Sequence, residues 1–368
     1  MYEYRHGGNV GFAAGQEKLV DLSANINPLG MPRGVRTAII HDIPKCEAYP
    51  DSLNRELRTQ IGLFEAVDPD WLFCGNGASD IIFRLPRAVQ AKKVLVTAPA
   101  FSDYLRSCQS YGAQLIEHRL TLEKGFRVDD GLIAAVRHER PSLVFLCNPN
   151  NPTGVLTRLG FIQRLVEACQ SVGARLVVDE CFLDFTQEAG QTTSKGLLAR
   201  YPNLVILKAF TKVFALPGIR LGYAMTSDRQ LIDALYFHGA DWPVSNLAQA
   251  AGLAALSGAR SFIHNTVTFI TAERELISKE LAKCGFQVFD SAANYLFFKS
   301  PYAFDLARAL EKDDLVIRSC SNYHGLDDSY YRVAVSTRVA NTMFVAALTA
   351  AVPPSPAALP PSKEGGAR

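Results

Sequence analysis

SLVFLCNPNNPTG, Ser142–Gly154, is the stretch that decides the fold. Successive side chains of an extended segment point to opposite faces, and Leu143 to Cys147 are apolar on both. A half-exposed strand would alternate apolar with polar, so this one is expected in a parallel sheet covered by helices on both sides. Outward from it lie runs of the same texture: KKVLVTAP (92–99), ARLVVDE (174–180), NLVILKAF (203–210) and RLGYAM (220–225). Between them FIQRLVEACQSVG (161–173) and DRQLIDALYF (228–237) carry helical spacing. Strands alternating with helices predict a doubly wound α/β domain, placed at residues 48–242. Such sheets bind ligands beyond the carboxyl ends of their strands. The polar motifs sit at those ends: APAF (98–101), NPNNPTG (148–154), Asp179 and Lys212.

From residue 243 the texture changes. A long helical stretch, SFIHNTVTFITAERELISKELAKCG, leads to ANYLFFK, DLARALEKDD, VIRSC and YYRVAVS. We read 243–352 as a smaller α+β domain and 1–47 as an N-terminal segment contributing to it and to the substrate site. The tail 353–368, rich in Pro, Ser and Gly, is expected to be disordered. At 368 residues, 48% hydrophobic and 20% charged, the chain has the composition of an ordinary globular enzyme. A net charge of +2 gives no electrostatic footprint for nucleic acid. No apolar run approaches the roughly 20 residues of a membrane helix, and the polar start MYEYRHGGNV lacks a signal peptide's apolar stretch, so a cytoplasmic place is expected. The eight cysteines form no CxxC pair and read as reduced, mostly buried thiols; neither a metal site nor a disulfide framework is expected.

AFTKVFALPGIRLGYAM, Ala209–Met225, sets Lys212 among apolar and small residues. A lone lysine more often buries its stem and leaves its amine in water. In an enclosed site, however, the amine loses its proton more readily and becomes a nucleophile able to form a Schiff base. Pyridoxal phosphate is the aldehyde cofactor such a lysine would hold. It requires an acid at its ring nitrogen, a group on its ring face and a cup for its phosphate. Asp179 at a strand end is the candidate acid, since a buried carboxylate demands a cation. Phe101 is the candidate for the ring face. GNGAS, Gly75–Ser79, opens a predicted helix whose N-terminus favours phosphate, and Thr211 and Arg220 bracket the lysine. Asn151 would hydrogen-bond the phenolic oxygen.

The order GNGAS, APAF, NPNNPTG, VVDE and TKVFALPGIRLG resembles the fold-type I pyridoxal-phosphate transferases of the aspartate aminotransferase group. Within that group HGGN (6–9), SANINPLGMP (23–32), EAYPD (47–51) and VIRSCSNYHGLDDSYYRVAV (316–335) are similar to the histidinol-phosphate aminotransferases. They are closer still to the threonine-phosphate decarboxylases of the cobalamin pathway. The resemblance runs from Arg5 to Val352. It implies that Lys212 carries the cofactor, Asp179 pairs its ring nitrogen, and Ala78, Ser79, Thr211 and Arg220 hold its phosphate. It implies a homodimer in which Tyr49 reaches the phosphate from the partner subunit. It assigns Arg332 to the substrate carboxylate, Arg318 to the substrate phosphate, and His6, Gly7, Asn25 and Asn151 to further substrate contacts.

Two positions depart from the common pattern. Phe182 stands where many aminotransferases have tyrosine, as the decarboxylases commonly do. Ala209 stands where serine or threonine is usual, which removes a charge-assisted hydrogen bond worth about 1–3 kcal/mol; the remaining donors are expected to suffice. The activity implied is decarboxylation of L-threonine O-3-phosphate. The alternatives are a histidinol-phosphate-type aminotransferase and, from another class, a cofactor-binding protein without turnover. Serine phosphate differs from threonine phosphate by one methyl, worth about 1–3 kcal/mol of discrimination, and stays open as a substrate.

Overall fold

The computed structural model describes Gly7, Gly8 and residues 19–352. His6 and the tail 353–368 lie outside the described residues. The central sheet has seven strands: β1 (Leu72–Gly75), β2 (Lys93–Ala98), β3 (Gln114–Arg119), β4 (Leu143–Cys147), β5 (Arg175–Asp179), β6 (Leu204–Ala209) and β7 (Gly222–Met225). Their spatial order is β1-β7-β6-β5-β4-β2-β3. All neighbours run parallel except β7, which is antiparallel to both β1 and β6. The chain is thus a fold-type I α/β transferase fold with a mostly parallel sheet.

Burial explains why the inner strands are apolar on both faces. Leu143, Phe145 and Cys147 join one core cluster, while Val144 and Leu146 join another. The first cluster lies under helices α1 (Ala78–Ala88), α2 (Ser102–Tyr111) and α4 (Arg229–Phe237); the second includes α3 (Leu159–Ser171). RLGYAM supplies the antiparallel member of this mostly parallel sheet. Its strand, β7, returns beside β6 after residues 210–221, which hold the one-turn helix Phe210–Val213 and the Pro217–Ile219 turn and no helix long enough to cover the sheet in a parallel crossover.

The C-terminal part carries a second, antiparallel sheet built from β8 (Gln287–Val288), β9 (Tyr295–Lys299), β10 (Arg318–Ser319) and β11 (Tyr330–Ala334), in the order β10-β11-β9-β8. The long helix α5 (Ala259–Lys283) packs with it through Ile270, Ile277 and Leu281. VIRSC is divided. Leu315–Val316 pairs with Val20–Asp21, tying the N-terminal segment down, and Arg318–Ser319 enters the second sheet. No helix among the described residues is long and apolar enough to cross a membrane. Six cysteines are buried, whereas Cys46 is exposed and Cys284 half-buried.

Candidate active site

A cavity of about 650 Å³ opens at the carboxyl ends of the central strands, a size usual for small-molecule sites. Lys212 enters it from a one-turn helix, Phe210–Val213, directly after β6. Its Nζ lies 5.7 Å from the Phe182 ring centroid. Among the described residues it has no carboxylate within ion-pair distance. Desolvation first, then the positive charges of Arg332 and Arg220, push its pKa down to about 8, against the opposing pull of Cys181 and Asp179.

Asp179 ends β5 and is 5% exposed. Its Oδ1 accepts from the Cys181 backbone N–H at 3.0 Å, and its Oδ2 from the Tyr104 hydroxyl at 2.6 Å. No cationic group among the described residues pairs with it. A buried carboxylate solvated only by neutral donors fits a site made for a cation such as a protonated ring nitrogen. Phe101 lines the same cavity at the start of α2, with its ring edge-on to Tyr104 at 5.7 Å.

The phosphate candidates meet at the other end. Gly77 precedes α1 with φ +80°, and a Cβ there would stand 2.7 Å from Arg220 Nη2. A Cβ on Gly222 would stand 2.5 Å from the Ala78 backbone nitrogen. Both glycines therefore let β7 and the guanidinium close on the first turn of α1, whose free N–H groups suit an anion. Ala78, Ser79, Thr211 and Arg220 all line the cavity, as does Ala209, which offers no hydroxyl. The Ser79 hydroxyl donates to Asp103 Oδ2 at 3.0 Å, and Arg220 Nη1 donates to the Pro217 carbonyl at 3.1 Å. This donor set fits a phosphorylated aldehyde cofactor on Lys212.

Arg332, 5% exposed on β11, also lines the cavity and donates through Nη1 to Asn151 Oδ1 and through Nη2 to the Ser23 carbonyl at 2.7 Å. Its Nε has no partner, and neither does Oδ1 of Asn25, which is 3% exposed and lines the cavity. Gly7 also lines it, packed so tightly that a Cβ would meet the Ser23 carbonyl oxygen at 2.5 Å.

Two predicted residues are placed elsewhere. Arg318 is opposite Arg332 in the register of β10 and β11 but turns into an adjoining side pocket. There its Nη2 donates to Asn322 Oδ1 at 2.9 Å, and its guanidinium lies 5.7 Å from the Tyr323 ring centroid. Tyr49 is 79% exposed and stacked on Trp242 at 4.3 Å, outside its own chain's cavity. Tyr104, Cys147, Cys181 and Tyr323 also line the site and were missed from sequence. Tyr104 had a faint signal, since it follows Phe101 by three residues and so sits one helical turn away. Tyr323 lines both the cavity and the side pocket.

Residues 17–348 match the family described as aminotransferase class I and II. The chain is 32% identical over 355 residues to the threonine-phosphate decarboxylase of Salmonella typhimurium, covering 95% of this chain and 96% of that one. It is 34% identical over 326 residues to the histidinol-phosphate aminotransferase of Lactiplantibacillus plantarum, covering 88% and 89%. Among solved structures, the histidinol-phosphate aminotransferase from Clostridium acetobutylicum aligns with a TM-score of 0.83 at 31% identity, covering 90% of this chain and 98% of that one.

Proposed function

The chain belongs to the aminotransferase class I and II family, and from that premise we propose that it is a pyridoxal-phosphate-dependent decarboxylase of L-threonine O-3-phosphate. Its product would be (R)-1-aminopropan-2-ol O-phosphate, a precursor for the cobamide nucleotide loop. The observation that carries this reading is the register pairing of Arg318 with Arg332. Like charges directly opposite across antiparallel strands repel. The backbones are opposed and the guanidinium groups part, Arg332 into the cavity and Arg318 into the side pocket that shares Tyr323 with it; two such groups suit a substrate that brings two anions, a carboxylate to Arg332 and a phosphate to Arg318.

The cofactor, when bound, supplies an electron sink conjugated to the substrate's Cα. Lys212 would hold it and, once displaced by substrate, would be one candidate to move a proton at Cα. Asp179 would keep the ring nitrogen protonated, and Asn151 would donate to the phenolic oxygen. Ala78, Ser79, Thr211 and Arg220 would hold the phosphate. The bond that breaks at Cα is the one perpendicular to the ring, so substrate tilt selects the reaction. Arg332, fixed by Asn151 and the Ser23 carbonyl, would set that tilt through the carboxylate. Phe182 leaves an apolar wall beside Lys212 where a tyrosine would donate a hydrogen bond. We further propose that residues 48–242 form the cofactor domain, that 243–352 with the N-terminal segment 1–47 close over the substrate, and that the protein works as a homodimer.

Incubation of the holoprotein with each phosphorylated amino acid, with carbon dioxide trapped, tests the reading. Release from threonine phosphate without a 2-keto acid is expected. The 34% identity to a histidinol-phosphate aminotransferase favours a second reading. Turnover of histidinol phosphate that needs a 2-keto acid and frees no carbon dioxide would establish it instead. No turnover of any of these substrates would leave a cofactor-binding protein without catalysis.

A further inference from the structure

We propose that Tyr104 is a positioning residue for Asp179, holding its carboxylate aimed so that the ring nitrogen of the cofactor keeps its proton. The inference rests on the cofactor reading above and goes beyond it, because Tyr104 does not belong to the set of residues that reading needs. Its hydroxyl donates to Asp179 Oδ2 at 2.6 Å, inside a site where Tyr104 is 1% exposed. The phenol ring is clamped by Phe145, with centroids 4.9 Å apart and planes 12° from parallel. That stacking leaves the hydroxyl little freedom to turn elsewhere. Burial and the neighbouring Asp179 and Cys147 raise the Tyr104 pKa well above the ordinary value, so the phenol remains a donor across the working pH range.

The chemistry follows from which species a hydrogen bond favours. A donor to the charged form of a carboxylate stabilises that form. Among the described residues Asp179 has two donors, the Cys181 N–H and the Tyr104 hydroxyl, and both are neutral. A lysine or arginine in their place would neutralise the carboxylate and spend its attraction within the protein. Neutral donors hold it in place and leave its attraction for the ring nitrogen. Helix α2 thus presents two side chains one turn apart: Phe101 toward the cavity and Tyr104 toward the acid beneath it.

Tyr104→Phe retains the stacked ring and deletes only the donor, so it separates positioning from packing. The variant, Asp179→Asn and the double variant are prepared as holoproteins with matched cofactor content. Turnover is measured together with the pH midpoint of the visible absorbance of the Lys212-bound cofactor. For Tyr104→Phe we expect kcat to fall roughly tenfold to a hundredfold, the worth of one charge-assisted hydrogen bond. KM should change little, and the absorbance midpoint, which reports the proton on the nitrogen joined to Lys212, should move up by about one pH unit, because a less firmly held ring proton draws less charge from it. In the Asp179→Asn background the same change should have no further effect on the midpoint, since the partner is gone. Unaltered kcat and midpoint in Tyr104→Phe would overturn the proposal. So would an equal loss in the Asp179→Asn background, which would mark a purely structural tyrosine. Wild-type protein that takes up no pyridoxal phosphate on Lys212 would overturn the cofactor reading and this one together; normal uptake with an indifferent Tyr104→Phe overturns this one alone.

Discussion

Lys208 and Lys212 stand four residues apart at the end of one strand, and their surroundings give them opposite chemistry. Lys208 Nζ contacts Glu65 at 2.9 Å and Asp184 at 2.8 Å, and despite desolvation these carboxylates raise its pKa. It stays an ammonium and cannot attack an aldehyde. Lys212 has no such partner, and desolvation with Arg332 nearby lowers it to about 8. Borohydride reduction of the protein with pyridoxal phosphate, followed by peptide mapping, should therefore label Lys212 and leave Lys208 untouched. Because the neutral amine is the nucleophile, capture of the aldehyde by the apoprotein should rise with pH and level off above about 8, where the lowered pKa leaves Lys212 mostly unprotonated. Arg332→Ala removes a charge that holds the value down, so that plateau should shift to higher pH. The same substitution should lower kcat as well as affinity, because Arg332 lies in the cavity against Asn151. Arg318→Ala, in its side pocket, should act mainly on KM for phosphorylated substrates. Losing one charged contact at a desolvated site typically costs about 2–5 kcal/mol. Equal, small losses in both variants would contradict the two-anion clamp.

Behind the site, four segments are fastened by one charge cluster. Glu65, from the helix before β1, takes Lys208 of β6, Lys195 and the Tyr223 hydroxyl of β7. Burial alone would raise Glu65, but Lys208 and Lys195 outweigh it and hold the carboxyl down at about 2. Lys208→Met would leave Glu65 and Asp184 as buried charges without their shared cation, a loss of roughly 3–5 kcal/mol in urea unfolding at neutral pH. The sign of its pH dependence follows from the Glu65 shift. In the native protein the stability from ionised Glu65 is complete above its unfolded value, near 4.5, and drains away as pH falls toward 2. The variant instead gains by protonating the stranded acids, so the stability gap should narrow through that window. A gap constant from pH 7 to 3 would show that the cluster packs without electrostatic consequence. At this scale, sequence was a reliable guide wherever burial was two-sided. The apolar runs around Val96, Phe145 and Val177 became strands because water reaches neither face. Gln114–Arg119 escaped notice because it is an edge strand with partly exposed, polar side chains. VIRSC read as one strand, but its two halves found different partners, and pairing over that distance leaves no mark in local pattern.

In the folded molecule as a whole, motif order made Lys212, Asp179, Asn151 and the α1 N-terminus legible, and the cavity brings them together. Tyr104 was not legible, because an apolar-looking tyrosine in a helix carries no sign of what its hydroxyl will meet. Arg318 was assigned without the side pocket, because the register that opposes it to Arg332 fixes the backbone and not the rotamer. Tyr49 poses the remaining question. It was predicted to serve a neighbouring subunit, and in its own chain it is 79% exposed against Trp242, away from Lys212. Exposed Ile40, Ile43, Leu53 and Phe237 lie on the same and adjoining segments. An apolar surface of this kind is the material of an interface between copies. If Tyr49 acts across a twofold dimer, two inactive proteins should repair each other. Lys212→Ala removes the nucleophile from its own site, and Tyr49→Ala removes the tyrosine from its partner's site. In a mixed dimer the Tyr49→Ala subunit keeps Lys212 and receives an intact Tyr49 from its neighbour. The other site lacks both. After dissociation and random reassociation, half of the dimers are mixed and each has one complete site, so activity should return to about a quarter of native. Were Tyr49 to serve its own chain, every site in the mixture would lack one of the two groups. Activity no higher than the Tyr49→Ala protein's own residual would then assign the tyrosine to its own subunit and withdraw the shared site.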